Sequence, residues 1–460
     1  MMTTHSLTLV ANLEISTLKQ AYAHGLKPSQ LIRQLLPLMA KEDCQNSAPD
    51  SHNVWISRFD DDTLMNMAKA LDDKDPTMLP LYGIPFAIKD NIDVAGLATT
   101  AACPGFAYQP TQHAFVVQKL IESGAIPLGK TNLDQFATGL NGTRSPYGIA
   151  KNSIDPDYIS GGSSSGSALA VALGLASFSL GTDTAGSGRV PAALNALVGV
   201  KPSCGLLSTS GVVPACRTLD CVSIFALTTS DAEIVLDVAA GFDFNDAYSK
   251  RLSPQAKTEV KTIGIPRADQ LVFFGDDDYA VLFEQAKVNA ITQGVQIIEI
   301  DFSPFVAAAQ LLYSGPWIAE RYHVINEPLS KKPDDILPVI RQIVEPAQHI
   351  TAEKTFQAFY QLAGYKRQCD DILATVDAVL TPTTGTIYTL SQMQANPLVL
   401  NSNLGYYTNF MNLLDYAALA IPAGHRPDGL PFGITLFAPS GQDWNLLDFA
   451  KRLSKPCKHV

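Results

Sequence analysis

The stretch Ser160-Gly161-Gly162-Ser163-Ser164-Ser165-Gly166-Ser167, followed by Gly181-Thr182-Asp183-Thr184-Ala185-Gly186-Ser187-Gly188-Arg189, decides how the chain is read. Small residues dominate both halves, and small side chains let a backbone come close enough to a substrate for its N–H groups to act as donors. Residues 168–180 between them are apolar and rich in Ala, Leu and Val. They predict a buried helix leading into a short strand, with a serine cluster at either end. This is also the nearest approach to a membrane span. Its length, its small residues and its glycine loops mark a core helix instead, since a span needs roughly 18 or more apolar residues.

Upstream, Leu81-Tyr82-Gly83-Ile84-Pro85-Phe86-Ala87-Ile88-Lys89-Asp90-Asn91 reads as a turn, a short buried strand and a polar end. Lys89 closes an apolar strand. Its bland reading is a surface lysine opening a loop; its chemical reading is an amine whose pKa burial lowers until it can accept a proton. Asp90 would hold that lysine charged unless strand alternation turns the carboxylate away. Further on, Gly124-Ala125-Ile126-Pro127-Leu128-Gly129-Lys130-Thr131 satisfies the G-x-x-x-x-G-K-[ST] pattern of a phosphate loop. The four middle residues form an apolar, strand-like run with a proline, and a helix (116–121, ending at Gly124) precedes them, so nucleotide binding through residues 124–131 is only a remote alternative.

The rest of the chain extends the same architecture. Ile15, Leu18 and Tyr22, then Leu31, Ile32, Leu35, Leu36 and Met39, fall at helical spacing and predict two amphipathic helices, the second kinked or ended by Pro37. Residues 1–55 form an N-terminal helical segment that covers the core or makes a dimer contact. A helix is expected at 64–71, and short strands at 198–206, 211–214 and 222–227. A β-α-β unit spans 261–300, helices follow at 316–327, 334–348 and 352–375, a buried strand lies at 377–382, and strand 432–437 precedes helix 444–453. The fold class is α/β: one large domain, residues 56–460, with a mixed, mostly parallel central sheet covered by helices. No linker, repeat or low-complexity run divides it.

With 460 residues, 46% of them hydrophobic, the chain can bury a large core. A net charge of −11 opposes nucleic-acid binding, which depends on concentrated Lys and Arg. Seven scattered cysteines, Cys44, Cys103, Cys204, Cys216, Cys221, Cys369 and Cys457, include no C-x-x-C pair, so neither zinc nor any other metal or cofactor is expected, and a reducing cytoplasm suits them. Met1 to Val10 lacks the charged-then-apolar order of a signal peptide, and a soluble protein without membrane contact is expected.

Two serine chemistries fit the opening stretch. Gly162-Ser163-Ser164-Ser165-Gly166 satisfies G-x-S-x-G with Ser164 central, but the residues before it, Asp155 to Tyr158, are loop-like rather than a strand. The histidines His323, His349, His425 and His459 also have no supporting motif. A serine-lysine arrangement needs a neutral lysine, a serine nucleophile and a second serine to carry the proton between them, and Lys89, Ser163 and Ser187 supply these. At this point the chain resembles the amidase signature family, through Gly83-Ile84-Pro85-Phe86-Ala87-Ile88-Lys89, the Gly161 to Gly166 run and the Gly181 to Arg189 run. The likeness covers about residues 60 to 230, more weakly to the carboxyl end. It implies Ser187 as nucleophile, Ser163 as a bridge after a cis Gly162-Ser163 bond, and Lys89 as the base. The N–H groups of Thr184, Ala185, Gly186 and Ser187 become the oxyanion hole. Asp183 and Arg189 read as loop braces.

Within that family, Pro214-Ala215-Cys216-Arg217-Thr218-Leu219-Asp220-Cys221-Val222-Ser223 and Tyr313-Ser314-Gly315-Pro316-Trp317-Ile318-Ala319-Glu320-Arg321-Tyr322 resemble the allophanate hydrolases. Allophanate is urea bearing a carboxylate, and the resemblance implies that Tyr313 and Arg321 bind it. If Ser314 or Gly315 caps a helix opened by Pro316, Tyr313 lies in the entry loop and Arg321 two turns along. Gly139, Leu140 and Asn141 resemble the pocket-lining loop. The implied reaction is hydrolysis of allophanate to N-carboxycarbamate and ammonia in urea or related nitrogen catabolism, with a functional link to a urea carboxylase. Such hydrolases commonly carry a further carboxyl-terminal domain, whereas this chain ends at Val460. Either that domain was removed or another route completes the decomposition. The rival from the same family is another amidase or a glutamine-dependent amidotransferase component, and a non-enzymatic scaffold is the third reading.

Overall fold

Eleven strands form one mixed sheet in the computed structural model, which describes residues 12–46, 50–254 and 259–453. They are β1 (Trp55–Arg58), β2 (Pro85–Lys89), β3 (Ile126–Thr131), β4 (Phe178–Asp183), β5 (Val198–Lys201), β6 (Cys221–Ala226), β7 (Thr262–Pro266), β8 (Gln296–Ile300), β9 (Ala378–Pro382), β10 (Tyr416–His425) and β11 (Pro431–Pro439). Their order across the sheet is β1-β3-β2-β4-β6-β5-β10-β11-β9-β7-β8. Met1 to Val10, Cys457 and His459 lie outside the described residues.

The sheet is mixed, but it is not mostly parallel. Among the described residues the pairs β3·β2, β2·β4, β9·β7 and β7·β8 are parallel, while β1·β3, β4·β6, β6·β5, β5·β10, β10·β11 and β11·β9 are antiparallel. Parallel pairing is confined to strands joined through a helix, as crossovers demand. The middle is built around the long β10/β11 hairpin. The run Tyr416-Ala417-Ala418-Leu419-Ala420-Ile421-Pro422 gives no strand signal, being rich in alanine and carrying a proline. Pairing carries it nonetheless, with a bulge between Pro422 and Gly424 that absorbs the missing donor.

The βαβ unit at 261–300 is present: the helix Asp277–Thr292 joins β7 to its parallel neighbour β8. The G-K-T run forms β3, not a phosphate loop. Three local expectations need correction. The helix Pro28–Lys41 is not ended by Pro37 but runs through it. The 334–348 segment is one helix only over Pro338–Val344, with 3-10 turns Pro333–Asp335 and Glu345–His349 on either side, because prolines open each piece. Residues 211–214 make a single bridge, Ile92 with Val212, rather than a strand. The first two helices, Ile15–Ala23 and Pro28–Lys41, bury Ile15, Leu18, Tyr22, Leu31, Ile32, Leu35 and Met39 in the main core. Tyr22 Oη donates to the Gly83 carbonyl at 2.7 Å, tying this layer to the turn before β2. No helix among the described residues is long and apolar enough to cross a membrane.

Candidate active site

Parallel pairing sets Ile88 of β2 beside Leu180 of β4. Lys89 and Thr182 therefore leave the sheet at the same edge, the carboxyl ends of adjacent parallel strands, where α/β proteins build their sites. The helix Ser165–Ala172 precedes β4, and the glycine-serine loop at its amino end lies over that edge. This helix is apolar and buried on all sides, so its serines must find partners inside the protein. Ser167 Oγ donates to the Leu180 carbonyl at 3.0 Å, and Ser164 Oγ to the Thr182 carbonyl at 3.0 Å. Ser164, the central serine of G-x-S-x-G, is thus a backbone clip.

Ser163 is different. Lys89 Nζ donates to Ser163 Oγ at 2.8 Å and to Thr182 Oγ1 at 2.8 Å. The Gly162-Ser163 peptide is cis, as the resemblance implied. Neither Lys89 nor Ser163 has any exposed surface. Burial pushes the Lys89 amine down to about 7, against the pull of the Asp134, Asp220 and Asp183 carboxylates. Asp90 does not interfere: it lies 3.0 Å from Lys130 on the opposite face of β2, where alternation sends it. A surface position for Lys89 is excluded.

Ser187 sits in the loop after β4 and is 2% exposed; its Oγ donates to the Gly139 carbonyl at 3.5 Å. Asp183 braces this loop. It accepts from Arg189 Nε and Nη2, both at 2.9 Å, from Gly186 N at 2.8 Å and from Gly188 N at 3.0 Å. Burial alone would raise the Asp183 carboxyl, but Arg189 overrides it and holds the pKa low. The Gly186 N–H is therefore a fastening of the loop and not a free oxyanion donor, while no acceptor is recorded among the described residues for the N–H groups of Ala185 and Ser187. Glycine is required at 186: its φ is +139°, and an added Cβ would lie 2.4 Å from Thr408 Oγ1. Thr184 is held through its side chain, which donates to Asp220 Oδ1 at 2.5 Å.

The 137–144 loop faces this pair of serines. Asp134 accepts from the N–H groups of Asn141, Gly142 and Arg144, and its own N–H donates to the Ser163 carbonyl at 3.0 Å. Of the three pocket residues expected here, Gly139 meets Ser187. The Leu140 N–H and the Asn141 side-chain amide both donate to Asn401 Oδ1 at 2.8 Å, so these two groups shape the loop. Arg321 is 1% exposed; its Nη1 donates to Thr138 Oγ1 at 3.1 Å and to the Ala137 carbonyl at 3.3 Å, and its guanidinium lies 5.6 Å from the centre of the Tyr313 ring. Tyr313 belongs to the last turn of the helix Ser303–Ser314 rather than to an entry loop, with Gly315 as C-cap and Pro316 as N-cap of the helix Trp317–Lys331. The pairing of Tyr313 with Arg321 survives that change because the two helices meet end to end. A cleft of about 570 Å³, lined by Gln310, Tyr313, Ser314, Ser402, Tyr406 and Asn409 among others, reaches Tyr313 from outside.

Sequence reading missed Thr182, Asn91, Asp134 and Asp220. Asn91 Nδ2 donates to Thr182 Oγ1 at 3.3 Å and to the Val213 carbonyl at 3.1 Å, backing the lysine's second partner. Asn91, Thr182 and Asp220 stand inside the quoted motifs and Asp134 just beyond the G-K-T run, but nothing in their local sequence marks them as partners of the site. Among the described residues no group of three His, Cys, Asp or Glu side chains could hold a metal ion, and the six described cysteines are free.

The sequence matches the Amidase family over residues 44–447. It is 46% identical over 439 residues to the urea amidolyase of Saccharomyces cerevisiae, covering 93% of this chain and 24% of that protein. The chain thus spans about a quarter of the length of this curated relative. The structure superposes on Kluyveromyces lactis allophanate hydrolase with a TM-score of 0.91 and 41% identity, over 97% of this chain and 73% of the other. More distant is a glutamyl-tRNA(Gln) amidotransferase subunit of Treponema pallidum, 31% identical over 413 residues and 81% of each chain. With the serine loops, the buried lysine and a match over most of its length in agreement, the chain belongs to the amidase signature family.

Proposed function

We propose that this chain hydrolyses allophanate to N-carboxycarbamate and ammonia with Ser187 as nucleophile, Ser163 as proton carrier and Lys89 as base. The observation that carries it is the 2.8 Å bond between Ser163 and a fully buried Lys89 whose amine titrates near neutrality. A neutral Lys89 accepts the Ser163 proton as Ser163 accepts that of Ser187, and Ser187 Oγ attacks the terminal carbamoyl carbon. The N–H groups of Ala185 and Ser187, with Thr184 beside them, receive the developing oxyanion. The proton returns through Ser163 to the leaving nitrogen, ammonia departs, and water releases the acyl group as the dicarboxylate. Arg321, beside the Tyr313 ring, pairs with the substrate carboxylate, and Gly139 walls the pocket.

Likeness to allophanate hydrolase over nearly the whole chain supports the substrate, and likeness to urea amidolyase supports a link to urea carboxylation. Residues 1–55 serve as a cover for the domain at 56–460, a role supported by the helices Ile15–Ala23 and Pro28–Lys41, whose apolar stripes are buried in the main core, and a cytoplasmic setting suits the free cysteines among the described residues.

Ammonia release from allophanate, malonamate, biuret and glutamine tests the assignment. Allophanate is expected to give the highest kcat/KM, with Ser187→Ala lowering it by about 10³-fold or more. A clear preference for glutamine would sink the allophanate reading and favour an amidotransferase component.

A further inference from the structure

Two buried guanidinium groups meet at one residue, Thr138. Arg321 Nη1 donates to the Thr138 hydroxyl at 3.1 Å. From the other side Arg144 Nη1 donates to the Thr138 carbonyl at 3.0 Å, and its Nη2 donates to the Pro397 carbonyl at 2.7 Å. Arg144 is 3% exposed and Arg321 1%. Neither forms an ion pair with a carboxylate among the described residues, whereas buried Lys130 and Arg189 each face one at 3.0 and 2.9 Å. The Nε of both arginines is buried without an acceptor. Asp134, the acid on the same loop, accepts from three backbone N–H groups.

Asp134 acts on Arg144, and Asp220 and Glu320 act on Arg321, from beyond ion-pair contact, while Arg321 repels Arg144. A buried cation with no carboxylate in direct contact is costly, and two beside one residue compound that cost. An anion from outside relieves both. The next residue, Gly139, carries the carbonyl that meets Ser187 Oγ at 3.5 Å. A short ligand with an amide at Ser187 and a carboxylate near Thr138 therefore places its negative charge between the two arginines.

We propose that Arg144 is the second cation of the substrate-carboxylate pocket: with Arg321 it brackets Thr138, and the doubled positive field makes the site select small amides that carry a carboxylate over neutral amides of the same size. The inference rests on the reading of the substrate as an anionic amide. Because both Nη groups of Arg144 are tied to main-chain carbonyls, it acts through its field and through the geometry of the 137–139 loop, as a positioning residue. Arg321 remains the contact residue.

The test is binding rather than turnover. In a Ser187→Ala background, calorimetry with malonamate and with neutral malonamide separates charge from shape. The parent is expected to bind malonamate more tightly. Adding Arg144→Gln lowers malonamate affinity by about tenfold and malonamide affinity by less than about threefold, as loss of one cation in a poorly solvated pocket requires. Arg144→Lys keeps the charge but not both carbonyl bonds, so the readout is the ratio of malonamate to malonamide affinity, which is expected to stay within about threefold of the parent's. Equal losses for both ligands, or a preference untouched by Arg144→Gln, would overturn the proposal while leaving the anionic-amide reading standing. A parent that binds malonamide as well as malonamate overturns that reading itself. Should the glutamine variant fail to fold, the lysine variant decides: a folded Arg144→Lys protein that has lost its anion preference overturns the role of charge, and one that keeps it supports that role.

Discussion

Lys89 donates to two neutral hydroxyls, Ser163 and Thr182, and burial carries its pKa to about 7. Two pH effects follow from this one residue. Activity needs the neutral amine, so kcat/KM is expected to fall as pH drops below about 7. Stability follows the proton count: between about 7 and the ordinary 10.5 the unfolded chain keeps a proton that the native lysine has released, so native stability rises with pH across that window. Lys89→Met removes the buried amine. It should abolish activity, flatten the slope, and melt above the parent at pH 7, by roughly one to three degrees. Urea unfolding of both proteins from pH 7 to 10 checks this; parallel curves would mean that Lys89 is not held neutral. The place of Lys89 was legible in the sequence, since it ends an apolar run, but its burial was not. That depends on segments distant in sequence, the Ser163 loop and Thr182 of β4, which the fold closes over the amine.

The loop from Asp183 to Arg189 is an element whose shape comes from one ion pair. Both side chains are fully buried, and Asp183 also holds two backbone N–H groups. Asp183→Asn leaves Arg189 charged and unpaired, for which about 3–5 kcal/mol of lost stability is expected at pH 7. Activity should fall as well, because Gly186 and Gly188 lose their fastening beside Ser187. The pair's own contribution is present above the carboxyl's ordinary 3.8 and is lost as pH falls through its lowered native value. Equal acid-unfolding midpoints for parent and variant would refute this. The brace could be read in advance because its partners lie six residues apart in one loop. The Thr184 to Asp220 bond could not, and neither could β10, since each depends on pairing between segments whose local composition says nothing about the partner.

At the scale of the molecule, the amino-terminal helices behave as part of the core. Ile15, Leu18 and Leu31 are at most 1% exposed, and Ser29 Oγ donates to Asp72 Oδ2 at 2.6 Å in the helix Asp61–Asp72. Leu31→Glu should therefore lower stability by about 3 kcal/mol or more, through an unpaired buried charge, without dissociating an assembly. Melting curves together with light scattering distinguish the two outcomes: a change in mass at unchanged stability would mean that this face is a contact between copies. The α/β class and the mixing of the sheet were legible from short apolar runs alternating with helical periodicity. The proportion of parallel pairs was not, because periodicity marks a strand without saying which way its neighbour runs.

The alternation between Lys89, the last residue of β2, and Asp90 just beyond it bears on folding fidelity as well as on chemistry. With β2 in its native register, one face of the strand holds an amine among hydroxyls and the other a carboxylate against Lys130. A slip of one residue would reverse both faces, setting Lys89 against Lys130 and Asp90 among the serines. Apolar contacts alone tolerate such a slip poorly in a strand buried on both sides, and like charges sealed together forbid it. The same two residues that prepare the site thus proofread the pairing that builds it.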